Sequence, residues 1–103
     1  MRRDPAAGLL QTERELVAER AAALARIAGT LEELLQRLDG VRAEIAKARL
    51  SPGQRAALGD EYRALREKAR LYHWYLRVQR EAIGFFRHDG LDERYPIPGQ
   101  LEG

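Results

Sequence analysis

The stretch LARIAGTLEELLQRLDGVRAEIAKA, residues 24–48, decides the fold. Its apolar residues are Leu24, Ile27, Leu31, Leu34, Leu38, Val41, Ile45 and Ala48, alternately three and four residues apart without a break. A helix turns once every 3.6 residues, so this spacing lays all of them on one narrow stripe, the seam along which one helix packs on another. Val17 continues one row upstream, and Ala21, Ala28 and Leu35 widen the seam on one side. Gly29 and Gly40 each cost about 1 kcal/mol inside a helix. Gly29-Thr30 also resembles a stop followed by a new cap, but the seam passes through it in register, so one continuous helix is expected. Thr12-Glu13-Arg14-Glu15 fits a capping box, in which hydroxyl and carboxylate satisfy free amides at a helix start. The first helix is therefore expected over 12–49, after a flexible lead over 1–11.

Downstream, Leu50-Ser51-Pro52-Gly53-Gln54 punctuates the chain. Ser51 suits an N-cap, Pro52 the first helical position, and Gln54 completes a second capping box. A connection this short makes the flanking helices antiparallel neighbours. In the second helix, Leu58, Tyr62, Leu65, Ala69, Tyr72, Leu76, Gln79, Ile83 and Phe86 keep the same spacing, and His88-Asp89-Gly90 offers a stop. It is expected over 52–88, matched in length to the first at roughly 55 Å. Beyond it, 91–103 reads as an extended tail, because Pro96 and Pro98 bar a helix. The fold class is all-α: a coiled-coil-like antiparallel two-helix hairpin over 12–90 with an extended, proline-containing C-terminal tail.

The second half of helix two is too apolar for a lone hairpin. Leu71, Tyr75, Val78, Ala82 and Phe85 form a second stripe beside the first. The two stripes together cover an arc of about 160°, more than a single neighbour shields. The economical answer is a homodimer, two hairpins forming a four-helix bundle. A different protein partner, or the Tyr95–Ile97 segment folded back over the stripe, would serve the same end. All aromatic residues except Tyr62 lie between Leu71 and Pro98. Aromatic surfaces anchor interfaces, so Leu71, Trp74, Tyr75, Val78, Phe85, Phe86, Tyr95 and Ile97 are the candidate partner or dimer interface. Trp74 shares its row with the polar Asp60, Glu67, Glu81 and His88, and is read as packing laterally on a neighbouring helix in preference to flooring the tail.

A basic row lies beside the seam: Arg63, Arg66, Arg70, His73, Arg77, Arg80 and Arg87. It is a candidate anion-binding face for a nucleic acid or another polyanion. The commoner role of such a row is pairing with acids, and the first helix offers Glu13, Glu15, Glu19, Glu32, Glu33, Asp39 and Glu44. Net charge is only +2 at a pI near 9.3, modest for a dedicated nucleic-acid binder. All basic residues but Lys47 and Lys68 are arginine, which GC-rich coding alone produces.

The residues that carry chemistry are sparse. There is no cysteine, hence no disulfide or thiolate nucleophile, and this usage suits the cytoplasm. The opening MRRDPAAGLL lacks the apolar run of a signal peptide, and no stretch approaches a membrane span. Neither His73 nor His88 has the Glu three residues earlier that a di-iron bundle uses. His88, Asp89, Asp92 and Glu93 read as a solvated helix end, not a metal site. Gly residues are scattered, with no phosphate-cradling loop, and Ser51, the only serine, is a cap. Gln79 and Arg20 are the polar breaks in the seams, and such breaks more often set register than catalyse. Leu31–Arg49 bears a superficial resemblance to the long helix of the all-helical chorismate mutases. The third helix and that family's spacing of acidic, basic and glutamine residues are missing, so it implies no activity. The expectation is a non-enzymatic interaction, scaffold or regulatory adaptor protein with no cofactor or metal. The alternative is a polyanion-binding or nucleic-acid-binding module using the basic row.

Overall fold

A computed structural model describes residues 5–101 except Ala48, with side chains from Gly8 onward. The described chain is all-helical, with no strand. Two long helices, α1 (Pro5–Ile45) and α2 (Pro52–Ala82), pack on each other, and a short α3 (Leu91–Arg94) follows. They run antiparallel: the Arg55 side chain at the start of α2 donates to the Ile45 carbonyl at the end of α1, while Leu76, late in α2, faces the same groove as Ala21–Ala28.

The seam read from the sequence forms the core. Leu31, Leu34, Leu38 and Val41 of α1 are buried against Tyr62, Leu65, Ala69 and Leu76 of α2. Leu31 and Leu38 have no exposed surface, and such burial contributes about 2 kcal/mol per leucine. Leu24, Ile27, Ala28, Leu35, Ile45, Leu58 and Tyr72 flank it half-buried. Ala48 lies outside the described residues.

The turn into α2 follows its sequence. Gln54 N–H donates to Ser51 Oγ at 3.0 Å, and Ser51 N–H donates to Gln54 Oε1 at 2.9 Å, which closes the capping box ahead of Pro52. Ser51→Ala removes one arm of it. The expected loss is about 1 kcal/mol, read as a lowered urea midpoint with unchanged slope.

The helix ends depart from the sequence reading in three places. First, α1 begins at Pro5, not Thr12, and the Thr12 hydroxyl donates back to the Gly8 carbonyl from within the helix. Pro5 stands where a missing N–H costs nothing, and the single Gly8 costs too little to break the helix. Residues 5–11 are thus helical, and 1–4 lie outside the description.

Second, α2 stops at Ala82 and not near 88. Gly84 adopts φ +96°, its N–H bonds to the Glu81 carbonyl, and Phe85 N–H bonds to the Arg80 carbonyl. This pair of bonds is the Schellman closure, which needs a residue without a Cβ penalty in the left-handed region. Gly90 is also left-handed (φ +79°), but it caps the start of α3 and does not end α2. Phe86 therefore leaves the seam and is 75% exposed.

Third, the helices are unequal, 41 residues against 31. The ten-residue excess corresponds to about 15 Å of helix. At that end Leu9, Leu10, Leu16 and Val17 are exposed, so Val17 is not a core residue.

The chain beyond α2 turns back. Leu91 of α3 is buried in the core cluster, with Tyr95 and Leu101 half-buried beside it. The segment is not extended from Leu91, because 91–94 are helical; residues 96–101 carry no helix and lie along α2. Residues 102–103 fall outside the description.

Candidate functional site

Beyond its buried stripe, α2 has two further faces, and they are used differently. One carries Leu71, Trp74, Tyr75 and Val78, spaced i, i+3, i+4 and i+7, so they form a single stripe. It is centred roughly 150° around the helix from buried Leu76 at 100° per residue. All four are exposed, Trp74 at 57%. Tyr75 binds the stripe together. Its ring meets half-buried Tyr72 edge-on at 5.4 Å and Trp74 at 5.7 Å, the separations that aromatic pairs favour. Phe85 and Phe86 follow in the loop, also exposed, with the Arg80 guanidinium 5.5 Å from the Phe85 ring.

The other face carries the basic row, and the returning tail lies on it. The Tyr62 hydroxyl donates to the Gly99 carbonyl at 2.7 Å, and Arg66 Nε donates to the Pro98 carbonyl at 2.8 Å. His73, only 8% exposed, sits 3.1 Å from an Asp92 carboxylate oxygen. Arg94 reaches Glu32 of α1 at 3.4 Å and stacks over Tyr95. Backbone carbonyls in irregular chain need donors when water is displaced, and Tyr62 and Arg66 supply them. Tyr62→Phe is expected to keep the helices and cost about 1 kcal/mol. Faster proteolysis near residues 96–101 would show the loosened tail.

Of the residues expected at an interface, Leu71, Trp74, Tyr75, Val78, Phe85 and Phe86 are exposed in the single chain. Tyr95 and Ile97 are half-buried against their own chain. The tail does not cover the apolar stripe; it covers the basic row. Trp74 borders both, since it also lines a cavity with Ile97.

The basic row is broken up. Arg63 pairs with Asp60, Arg70 loosely with Glu67 at 3.7 Å, and Arg80 donates to the Arg87 carbonyl. Among the described residues none of the row pairs with an acid of α1, contrary to expectation; the partners are neighbours one turn away and the tail. Arg–carboxylate pairs at i, i+3 need no tertiary alignment, since both side chains stand on one helix face. His88, outside α2, sits 2.9 Å from Glu81.

Family models, curated proteins and solved structures contain no match to this chain. Among the described residues no group of three or more His, Asp or Glu side chains could hold a metal, and no helix is long and apolar enough to cross a membrane.

Sequence reasoning missed two features. One is the exposed apolar start of α1. Leu10 continues the seven-residue row of Val17, Leu24 and Leu31, a signal available in the sequence. The other is the tail's docking on Tyr62. A tyrosine in a buried seam needs a partner for its hydroxyl, but its sequence does not say which carbonyl arrives.

Proposed function

We propose that this chain is a non-enzymatic interaction protein, a scaffold or adaptor, that works as a homodimer of helical hairpins. The carrying observation is the exposed stripe Leu71, Trp74, Tyr75 and Val78 on the side of α2 away from α1, which the tail borders only at Trp74. The start of α1 adds Leu9, Leu10, Leu16 and Val17, and the loop adds Phe85 and Phe86. Together they expose on the order of 1000 Å² of apolar surface, against the roughly 800 Å² that each partner contributes to a stable interface. Scattered exposed leucines need no explanation, but four apolar and aromatic residues aligned on one helix face do.

A second copy is the occupant that fits. The exposed start of α1 prolongs the same heptad row that α2 covers further along, so the surface calls for another helix of matching repeat. The chain itself carries one such free surface on α2. A two-fold axis that packs the α2 stripes of two copies face to face covers that surface and makes a four-helix assembly.

Trp74 is the only tryptophan, and it stands in the stripe. Its emission is expected to be blue-shifted at micromolar protein and to move to the red on dilution. Red emission independent of concentration would contradict self-association through this face. A shift that appears only with a different protein would assign the surface to a heteromeric partner.

A polyanion surface is less well supported. Arg66 and Arg80 are committed to backbone carbonyls of their own chain, and the tail lies across the row.

A further inference from the structure

Between α2 and the returning tail lies an open cavity of about 440 Å³. Arg70, His73 and Arg77 line it from α2, and Pro96 and Ile97 from the tail. Trp74 and Tyr95 give it aromatic walls. It is an open groove whose volume suits a small molecule and whose lining is half aromatic or apolar and half charged or polar.

The charges there are only partly spent. Arg70 and Arg77 are two helical turns apart, about 10 Å along α2. Arg77 makes no ion pair among the described residues, and the Arg70–Glu67 contact is long and exposed. Solvent-exposed pairs of that kind hold little energy, so Arg70 is free to turn to a better acceptor. Asp92 is the one carboxylate of the lining, and His73 engages it. The remaining balance is positive. Elsewhere in the row Arg66 is committed to the Pro98 carbonyl and Arg80 to the Arg87 carbonyl, while Arg63 and Arg87 lie outside the cavity lining.

We propose that this cavity binds a small organic acid, a carboxylate, sulfonate or phosphate carried on a flat apolar body. Arg70 and Arg77 hold the anionic group, which a guanidinium fork matches in plane and charge. The flat body lies against Trp74 under Pro96 and Ile97. The returning segment is held before the cavity by buried Leu91 and half-buried Tyr95, and beyond it by the Tyr62 and Arg66 hydrogen bonds, so the wall made by 96–97 is built by the docked tail. A long polyanion does not fit this site, because the tail crosses the row that its phosphates would need. The proposal rests on the placement of the tail and does not depend on self-association.

The test is a titration of the full chain with naphthalene-2-sulfonate, followed by NMR at the Trp74 indole and the His73 ring. Naphthalene-2-methanol serves as the neutral twin. Saturable shifts are expected, at least tenfold weaker for the neutral twin and at least tenfold weaker for Arg70→Gln with Arg77→Gln. Arg63→Gln with Arg87→Gln should bind like the unaltered chain. Circular dichroism checks that each variant is folded. The proposal is overturned if the two naphthalenes bind equally, if the Arg70/Arg77 variant binds undiminished, or if neither compound binds. Preference for an oligonucleotide over the sulfonate, lost only when Arg63 and Arg87 are also replaced, overturns it in favour of a polyanion surface.

Discussion

Leu38→Asp is expected to unfold the hairpin. Leu38 has no exposed surface and lies mid-seam, in the core that Tyr62 and Leu65 share. Truncating a buried leucine alone costs about 2–5 kcal/mol, through lost burial and the cavity left behind. An unpaired carboxylate in the same place adds several more, or takes up a proton at a similar cost. Domains of this size are stable by about 5–15 kcal/mol, so the substitution removes most or all of it. A hairpin core is one layer thick, with no second shell of side chains to absorb the damage. The helical signal at 222 nm should fall sharply at 25 °C, and the cooperative thermal transition should disappear. Helicity and melting retained at the level of the unaltered chain would mean that the seam is not the core. Leu38→Ala should fall between, folded but with a clearly lowered melting temperature.

The second large effect separates folding from association. Tyr75→Glu with Val78→Glu places two carboxylates on the exposed stripe, where the single chain has room for them. Within one chain the cost is modest: a few tenths of a kcal/mol for like charges at i, i+3, and about 1–2 kcal/mol for the lost ring contacts of Tyr75 with Tyr72 and Trp74. At a dry interface between copies the same charges are unpaired and duplicated by symmetry. A weakening of dimerisation of at least a hundredfold, about 3 kcal/mol, is expected while helicity stays unchanged. Light scattering coupled to size exclusion, with circular dichroism on the same samples, reads both quantities. A dimer that survives the double substitution would place the interface elsewhere.

The sequence made the helical core legible because the physics there is local and periodic. Leu24 to Ile45 repeats without a break, and burial from Leu31 to Val41 follows the repeat. Ser51 and Gln54 lie three residues apart, so their reciprocal bonds are readable from type and spacing alone. The helix ends were harder. Thr12 and Glu15 fit a cap, yet Pro5 offers an earlier start, and in the structure the helix starts there. Gly84 and Gly90 both suit a helix stop by residue type. Both are left-handed, and only the backbone bonds from Gly84 and Phe85 tell which one ends α2. That early stop moved Phe85 and Phe86 off the helix and left Leu9 to Val17 without cover.

For the candidate site, spacing alone puts Leu71, Tyr75, Val78, Ala82 and Phe85 on one stripe and Trp74 on an otherwise polar row, whereas in the structure Leu71, Trp74, Tyr75 and Val78 are exposed together and Phe85 lies in the loop after α2. The sequence could not show that the tail would take the basic row instead. That choice depends on Tyr62 and Arg66 meeting the Gly99 and Pro98 carbonyls, contacts between residues 37 and 32 positions apart. Carbonyl groups look alike in every sequence. The cavity under the tail follows from the same long-range contact and was equally out of reach.

The most direct measurement is the mass of the unaltered chain by sedimentation equilibrium at micromolar concentration. Burial of the Leu71–Val78 stripe and the start of α1 against a second copy predicts twice the 11.7 kDa chain mass. A single species at 11.7 kDa across that range would contradict it, leaving the stripe bare and the homodimer without support.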